Sequence, residues 1–377
     1  MLVRSLTFIS HNVFSVTLGI LGLTFLIAIH ELGHYLFCKM FGIHTPTFSI
    51  GFGPQLIRKK MGDTNFVISA IPLGGYVEIA GLAEVAQGEQ KQADRTDSSS
   101  FTAKPYWQKL LVMVGGIGFN VIFTYLAFIA LFFVGFPKSP MLYPINANTT
   151  IQTVQPESPA ATANLKAGDI IISINGKKVQ GSASQLREEI LKFADQTIEL
   201  SIQRDGQILQ VPVTLSGVPT PSGKRTGILG VAFETIELKA SNLTEAIKKG
   251  VGLTHTLIAN IAGAFVTIFK QRDVSSMGGP LSIISATVQG AGQSLWLFLL
   301  ILAIISVNLA VLNVIPLPIL DGGQILYFTI EAIVGRPLPL KVREYIHVAS
   351  WLFVLGLIIY LSANDLYRII KPWFGNN

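Results

Sequence analysis

Four stretches of this chain stay apolar long enough to cross the hydrocarbon core of a bilayer, near residues 13–38, 107–135, 293–315 and 346–363. Between them the pattern changes. Residues 47–80 alternate β-branched, aromatic and glycine positions, as in Thr47-Phe48-Ser49-Ile50-Gly51-Phe52-Gly53-Pro54 and Phe66-Val67-Ile68-Ser69. That alternation predicts strands and turns beside the membrane, a membrane-associated β-hairpin region. Residues 81–104 are rich in Gln, Ala, Asp, Ser and Glu without periodicity and read as a flexible loop. Residues 145–235 form a soluble stretch: an alternating run at Ile151 to Val154, a helix start at Ser158-Pro159-Ala160-Ala161, strands at 169–174 and 198–203, and hairpin turns at Asn175-Gly176 and Asp205-Gly206. From 242 to 270, Leu243, Ala246, Ile247, Val251, Leu257, Ile258, Ile261, Phe265 and Ile268 keep roughly helical spacing beside Lys248 and Lys249, which fits an amphipathic helix on the outer membrane surface.

The fold class that follows is a polytopic α-helical membrane protein of about four transmembrane helices, with a β-hairpin region and one inserted α+β domain. A first membrane part covers 1–136, the inserted domain 145–235, the surface helix 240–270 and a second membrane part 290–377.

Composition agrees with that reading. Half of the 377 residues are hydrophobic and only 13% are charged, with a mean hydropathy of +0.53. The first span is longer than the apolar region of a secretory signal and lacks a small-residue cleavage site, so it reads as retained. The net charge of +6 does not point to nucleic acid, because the basic residues lie in connecting loops. The 39–109 loop holds Lys39, Arg58, Lys59, Lys60, Lys91, Arg95, Lys104 and Lys109, and the 317–345 loop holds Arg336, Lys341 and Arg343. By the positive-inside rule both loops are cytoplasmic, and the long 137–290 connection falls outside. A single cysteine, Cys38, leaves no intramolecular disulfide.

Chemistry concentrates in His30-Glu31-Leu32-Gly33-His34, an H-E-x-x-H pattern inside a predicted helix. Positions i and i+4 share a face, so both imidazoles can hold one metal. Glu31 lies about 100° round the helix from His30, beside the metal, where it can take a proton from water. Three ionisable side chains in an apolar span are costly unless they pair or coordinate. Catalytic zinc takes three protein ligands and an open position, so a third ligand comes from elsewhere. Asp321 is the first choice, in Asn313-Val314-Ile315-Pro316-Leu317-Pro318-Ile319-Leu320-Asp321-Gly322-Gly323, where two prolines interrupt a span. The alternatives are that Asp321 caps a helix starting near Gln324 and that Cys38, four residues after His34, is the ligand.

The pairing of H-E-x-G-H with N-x-x-P-x-P-x-L-D-G resembles the site-2 protease family of intramembrane metalloproteases. Gly51-Phe52-Gly53-Pro54, Pro72-Leu73-Gly74-Gly75-Tyr76-Val77, Lys104-Pro105 with Trp107, and Gly279-Pro280 resemble its bacterial branch, which includes the regulator of sigma-E protease. The resemblance implies zinc bound by His30, His34 and Asp321, acid–base work by Glu31, and substrate contacts by Asn313, with Gly51, Gly53 and Pro54 in the substrate-binding region. It further implies a bacterial inner membrane protein that cuts single-span substrates of the anti-sigma factor or remnant signal peptide type. The family's A-G-P-x-x-N run appears here as Gly115-Gly116-Ile117-Gly118-Phe119-Asn120, without the proline that would bend the second span. Residues 145–235 resemble a circularly permuted PDZ domain through Leu165-Lys166-Ala167-Gly168-Asp169-Ile170-Ile171 and Ile174-Asn175-Gly176. Gly227-Ile228-Leu229-Gly230-Val231 is then either a loop that captures a peptide C-terminus or a turn before the last strand.

A transmembrane substrate must leave its helix before its carbonyl can be attacked, so the expected route is strand addition to an edge within residues 47–80. Two rivals stand beside proteolysis: a membrane scaffold with a structural metal closed by Cys38, and a metal transporter that uses intramembrane His and Asp as an ion path.

Overall fold

The computed structural model describes residues 2–82, 96–137, 147–179, 183–219, 225–235, 238–271, 278–336 and 339–374. Its contacts divide the chain into two compact units, residues 1–133 with 240–377, and residues 134–239.

The first unit holds α1 (Leu2–Met40), β1 (Thr47–Met61), β2 (Thr64–Val77) and α2 (Tyr106–Val134). The remaining helices of this unit come after the inserted residues and are named below by their ranges. α1 and α2 contain the first two expected spans, and Leu295–Val314 and Leu340–Phe374 contain the other two. A fifth helix also meets the length and apolarity of a span, Leu243–Ile268 within Leu243–Gln271. Among the described residues, length and composition therefore admit five spans where the hydrophobic pattern counted four. The large apolar side chains exposed on these helices, among them Phe14, Leu126, Leu352 and Ile359, suit contact with lipid tails.

The expected short strands are instead two long bent ones of 15 and 14 residues. The first half of β1 pairs on both sides: Phe48 lies opposite both Phe66 and Val77. The register shifts pass through Gly51 and Gly53, at φ 89° and 83°. A Cβ on Gly51 would stand 2.7 Å from the Ile71 carbonyl oxygen, so only glycine turns the strand there. Two fastenings tie this sheet to α1. The Thr24 hydroxyl donates to the Pro72 carbonyl. At the hairpin tip, Asp63 accepts from Lys39 and pairs with His44 at 3.1 Å, contacts that pull its carboxyl down to about 2. Phe48, Val77, Cys38, Val112, Met113, Phe101 and Phe328 close the core beneath the sheet.

The second unit holds β3 (Ala147–Val154), α3 (Pro159–Thr162), β4 (Ile170–Ile174), β5 (Lys177–Lys178), α4 (Ala183–Ile190), β6 (Thr197–Arg204), β7 (Gln207–Thr214), β8 (Ser216–Pro219), β9 (Arg225–Ile228) and β10 (Val231–Thr235). Its main sheet runs β10-β3-β4-β6-β7, with β5 on β4 and a separate β8–β9 hairpin. Local chemistry explains the connections. Ser158 caps α3 by accepting from the Ala161 amide, with Pro159 in the first turn. Asn175-Gly176 and Asp205-Gly206 all have positive φ, as tight hairpin turns require. Ile151, Ile171, Leu186, Ile198, Leu200 and Ile202 form its buried core. Asp169, 1% exposed, accepts from Arg204 at 2.7 Å through two nitrogens and from the Lys166 amide at 2.8 Å. Burial alone would raise its pKa, yet the Arg204 guanidinium holds the carboxyl below its ordinary range.

Candidate metal centre

The remaining helices of the first unit are α5 (Leu243–Gln271), α6 (Pro280–Gln293), α7 (Leu295–Val314), α8 (Asp321–Val334) and α9 (Leu340–Phe374). Helical spacing puts His30 and His34 on one face of α1, with ring centroids 4.7 Å apart and nearly perpendicular. Asp321 reaches them from α8. Its N-cap is Leu320, so Asp321 begins the helix proper rather than capping one near Gln324, and its carboxylate turns to the histidines. The chain needs a tight break to bring it there. α7 ends at Val314, Leu317 N–H donates to the Ile315 carbonyl, and Leu320 N–H to that of Leu317. Cβ atoms on Gly322 and Gly323 would lie 2.2 Å and 2.1 Å from the carbonyl oxygens of Val314 and Leu317, so both glycines let that loop fold over the start of α8.

The distances are those of a ligand shell. His30 Nε2 and His34 Nε2 are 3.2 Å apart, and they lie 3.3 Å and 3.5 Å from the two Asp321 oxygens. Ligands at tetrahedral angles around zinc stand about 3.3–3.4 Å from one another, given bond lengths near 2.0–2.1 Å. Asp321 Oδ2 is buried and accepts no hydrogen bond, although His30 is within ion-pair reach. A buried anion lacking a donor, facing two imidazole nitrogens, fits a cation between them. These three are the one group of metal-ligating side chains that converges in this way among the described residues. Cys38 does not join them and is fully buried in the core beneath the sheet.

Outer contacts orient the rings. His34 Nδ1–H donates to the Val112 carbonyl at 2.8 Å, which leaves the Nε2 lone pair for a metal. His30 Nδ1 lies 3.3 Å from the side-chain amide of Asn120, and the Gly116 carbonyl accepts from the same ring. Asn120 is fully buried with its Oδ1 unpartnered, so turning the amide end for end puts an acceptor against the ring N–H. Ser306 and Thr124 donate to the Asn120 carbonyl at 3.0 Å and 2.9 Å and hold that turn of α2 in place.

Close helix contact makes room for this. A Cβ on Gly116 would stand 2.3 Å from His34 Nε2, and one on Gly33 would stand 2.2 Å from the Gly115 carbonyl oxygen. α2 runs unbroken from Tyr106 to Val134 without the family's proline. Val112 escaped the sequence reading, which met Gly116 and Asn120 only as part of the family's run on the second span and gave them no contact with the histidines. The i, i+4, i+8 spacing of the three on a single face was the available signal.

Glu31 lies close enough to His30, His34 and Asp321 to interact electrostatically with all three, and its Oε2 accepts from the Val77 amide at 3.0 Å. Asn313 Nδ2 comes within 3.5 Å of His30 Nε2, which places this side chain at the site. Gly51, Gly53 and Pro54 sit at the bend of β1, and no hydrogen bond links them to the histidines or Asp321 among the described residues. Gly227 and Gly230 belong to the second unit and line a groove there.

Residues 18–357 match the model of Peptidase family M50. Among curated proteins the chain is similar to one of Agrobacterium fabrum, 31% identical over 93% of this chain and 95% of the relative, and to one of Nostoc sp., 31% identical over 94% and 96%, both named as candidate zinc metalloproteases. Among solved structures it is similar to the PDZ domain of an SdrC-like protein from Listeria monocytogenes, with 22% identity, a TM-score of 0.20, and coverage of 23% of this chain and 87% of that one. A match over nearly the whole length, with the H-E-x-x-H helix and the distant aspartate brought to ligand spacing, places this chain in peptidase family M50 as a membrane zinc metalloprotease.

Proposed function

We propose that this protein hydrolyses a peptide bond within or beside the transmembrane segment of single-span membrane proteins, with His30, His34 and Asp321 as zinc ligands and Glu31 as general base. The observation that carries the reading is the shell of two Nε2 atoms and a carboxylate whose buried Oδ2 lacks a donor, at tetrahedral spacing, with Glu31 beside it. Bound there, zinc supplies Lewis-acid polarisation of a carbonyl and acidifies water.

The chain's own residues do the rest. Glu31 takes a proton from the attacking water and delivers it to the leaving nitrogen. The Val77 N–H holds the Glu31 carboxylate at the end of β2. Asn313 steadies the extended substrate or its developing oxyanion. The substrate segment leaves its helix and joins β2 near Gly75–Val77, because that segment ends at the base. Pairing there satisfies the unwound backbone at membrane depth.

The basic loops support a site toward the cytoplasmic side of a bacterial inner membrane with the 134–239 unit outside, as a PDZ-like module that captures a peptide C-terminus near Gly227 and Gly230. Substrates of this kind include anti-sigma factors and remnant signal peptides.

The test is Glu31→Gln. The purified variant is expected to keep its zinc and lose cleavage, and persistent proteolysis would remove Glu31 from the mechanism. In cells, single-span fragments accumulate only with the variant; a membrane proteome without them would overturn the substrate class.

A further inference from the structure

The second unit carries a groove of about 340 Å³ that the metal chemistry leaves unused. One wall is β10, which lies at the end of the main sheet and pairs only with β3 among the described strands. The other wall is one face of α4, contributed by Ala183, Arg187 and Ile190, with Leu191 just beyond it. The Gly227–Val231 loop closes one end. There the Leu229 carbonyl accepts from the Ala160 amide and the Gly230 carbonyl from the Gln155 amide, so both carbonyls are engaged by the domain's own backbone. The amides of Leu229 and Gly230 donate to no protein group among the described residues. Gly230 has φ +80°, and a Cβ there would stand 2.2 Å from Ser158 Cβ, so the loop holds its form only with glycine. A strand edge that no described strand covers, ending in two amides without an acceptor among the described residues, suits an extended peptide finishing in a carboxylate.

Among the described residues, Arg187 is the only charged one lining this groove. It is exposed, and its side chain makes no ion pair or hydrogen bond with the described residues. Its place along the groove follows from helix and strand dimensions. The loop sits at the Ile190–Leu191 end, since Gly227 N–H donates to the Leu191 carbonyl. Arg187 is one turn back, about 6 Å along the axis from Leu191. Side chains on one face of an added strand recur every about 6.8 Å. With the terminal side chain against Ile190, Leu229 and Phe233, all apolar and buried, the side chain two residues earlier stands opposite Arg187.

We propose that Arg187 makes this groove selective for peptide C-termini that carry Asp or Glu two residues before an apolar terminal residue. The inference rests on the reading that the groove captures a free terminus, and it names the ligand chemistry. A guanidinium without an internal partner, between apolar walls, gains a charge-assisted bond from a carboxylate and repels an ammonium.

The experiment uses the full chain in detergent, carrying Glu31→Gln so that no peptide is cut, and fluorescent hexapeptides ending Glu-Ser-Val, Ala-Ser-Val or Lys-Ser-Val with free carboxylates, plus an amidated Glu-Ser-Val. The expected result is binding of Glu-Ser-Val about tenfold tighter than Ala-Ser-Val, with loss of affinity on amidation. Adding Arg187→Glu reverses the order in favour of Lys-Ser-Val. Equal affinity for the Glu and Ala peptides, with dependence on the free carboxylate intact, overturns the role of Arg187 and leaves terminus capture standing. No carboxylate-dependent binding of any peptide overturns both.

Discussion

The metal centre and the inserted domain are built on opposite plans. The inserted domain is self-sufficient: its core is apolar, its turns are coded by Asn175-Gly176 and Asp205-Gly206, and its buried acid, Asp169, has a full set of donors. The metal centre is deliberately incomplete. Asp321 Oδ2 is buried without a hydrogen-bond donor, and the Nε2 atoms of two imidazoles stand 3.2 Å apart. A stability-driven region pairs each polar group, whereas a reactive one holds groups that only a further atom can satisfy. The groove of the inserted domain is nearer the second plan, since it is lined by the Leu229 and Gly230 amides and by the Arg187 side chain, which the described residues leave unpaired.

Substitutions can press on this contrast. The largest effect is expected from Gly116→Ala, whose Cβ would stand 2.3 Å from His34 Nε2. Zinc affinity should fall by about 100-fold, read as metal content after dialysis against a graded chelator. Retention of full zinc content would mean that α1 and α2 are not held as closely as described. In the inserted domain the comparable blow is Asp169→Asn, which strips the charge from a buried pair and should lower the protection of β6 and β7 amides in hydrogen exchange by about 2 kcal/mol. The Asp169 carboxyl titrates below its unfolded value of about 3.9. Its contribution is therefore complete above that pH and disappears as pH falls through the folded value, and the variant should lack this acid-dependent part.

A smaller change separates positioning from ligation. Val77→Pro removes the amide that holds Glu31, at a strand position where that N–H serves the carboxylate instead of the sheet. We expect kcat to drop about tenfold, near 1.4 kcal/mol, with zinc content unchanged. Loss of zinc alongside activity would show a general structural effect instead. The smallest effect is expected of Gly118→Ala, two residues from Gly116, where a Cβ meets nothing within 4 Å. Activity should stay within about twofold of the parent, given the helix preference for alanine.

How much of this was legible in the sequence depends on the range of the interaction. His30, Glu31 and His34 lie within five residues, so helical geometry alone put them together, and Asp321 announced itself through the prolines before it. The turns and the Ser158 cap were equally local. The strands of residues 47–80 were visible as strands but not as two bent ribbons, because the bends depend on how Gly51 meets the Ile71 carbonyl. The helix at 243–271 read as a surface element from its lysines, yet its length and apolarity also suit a span.

Sequence by itself determined the kinds of group available: an H-E-x-x-H helix, a proline-broken segment ending in a carboxylate, and an α+β module between two membrane parts, since each is a matter of local spacing and composition. Only the tertiary structure decided that Asp321 rather than Cys38 stands at ligand spacing from the two histidines, that Gly116 and Asn120 pack against them, and that Val77 donates to Glu31. The physical reason is that close packing between distant segments selects among side chains that periodicity treats alike.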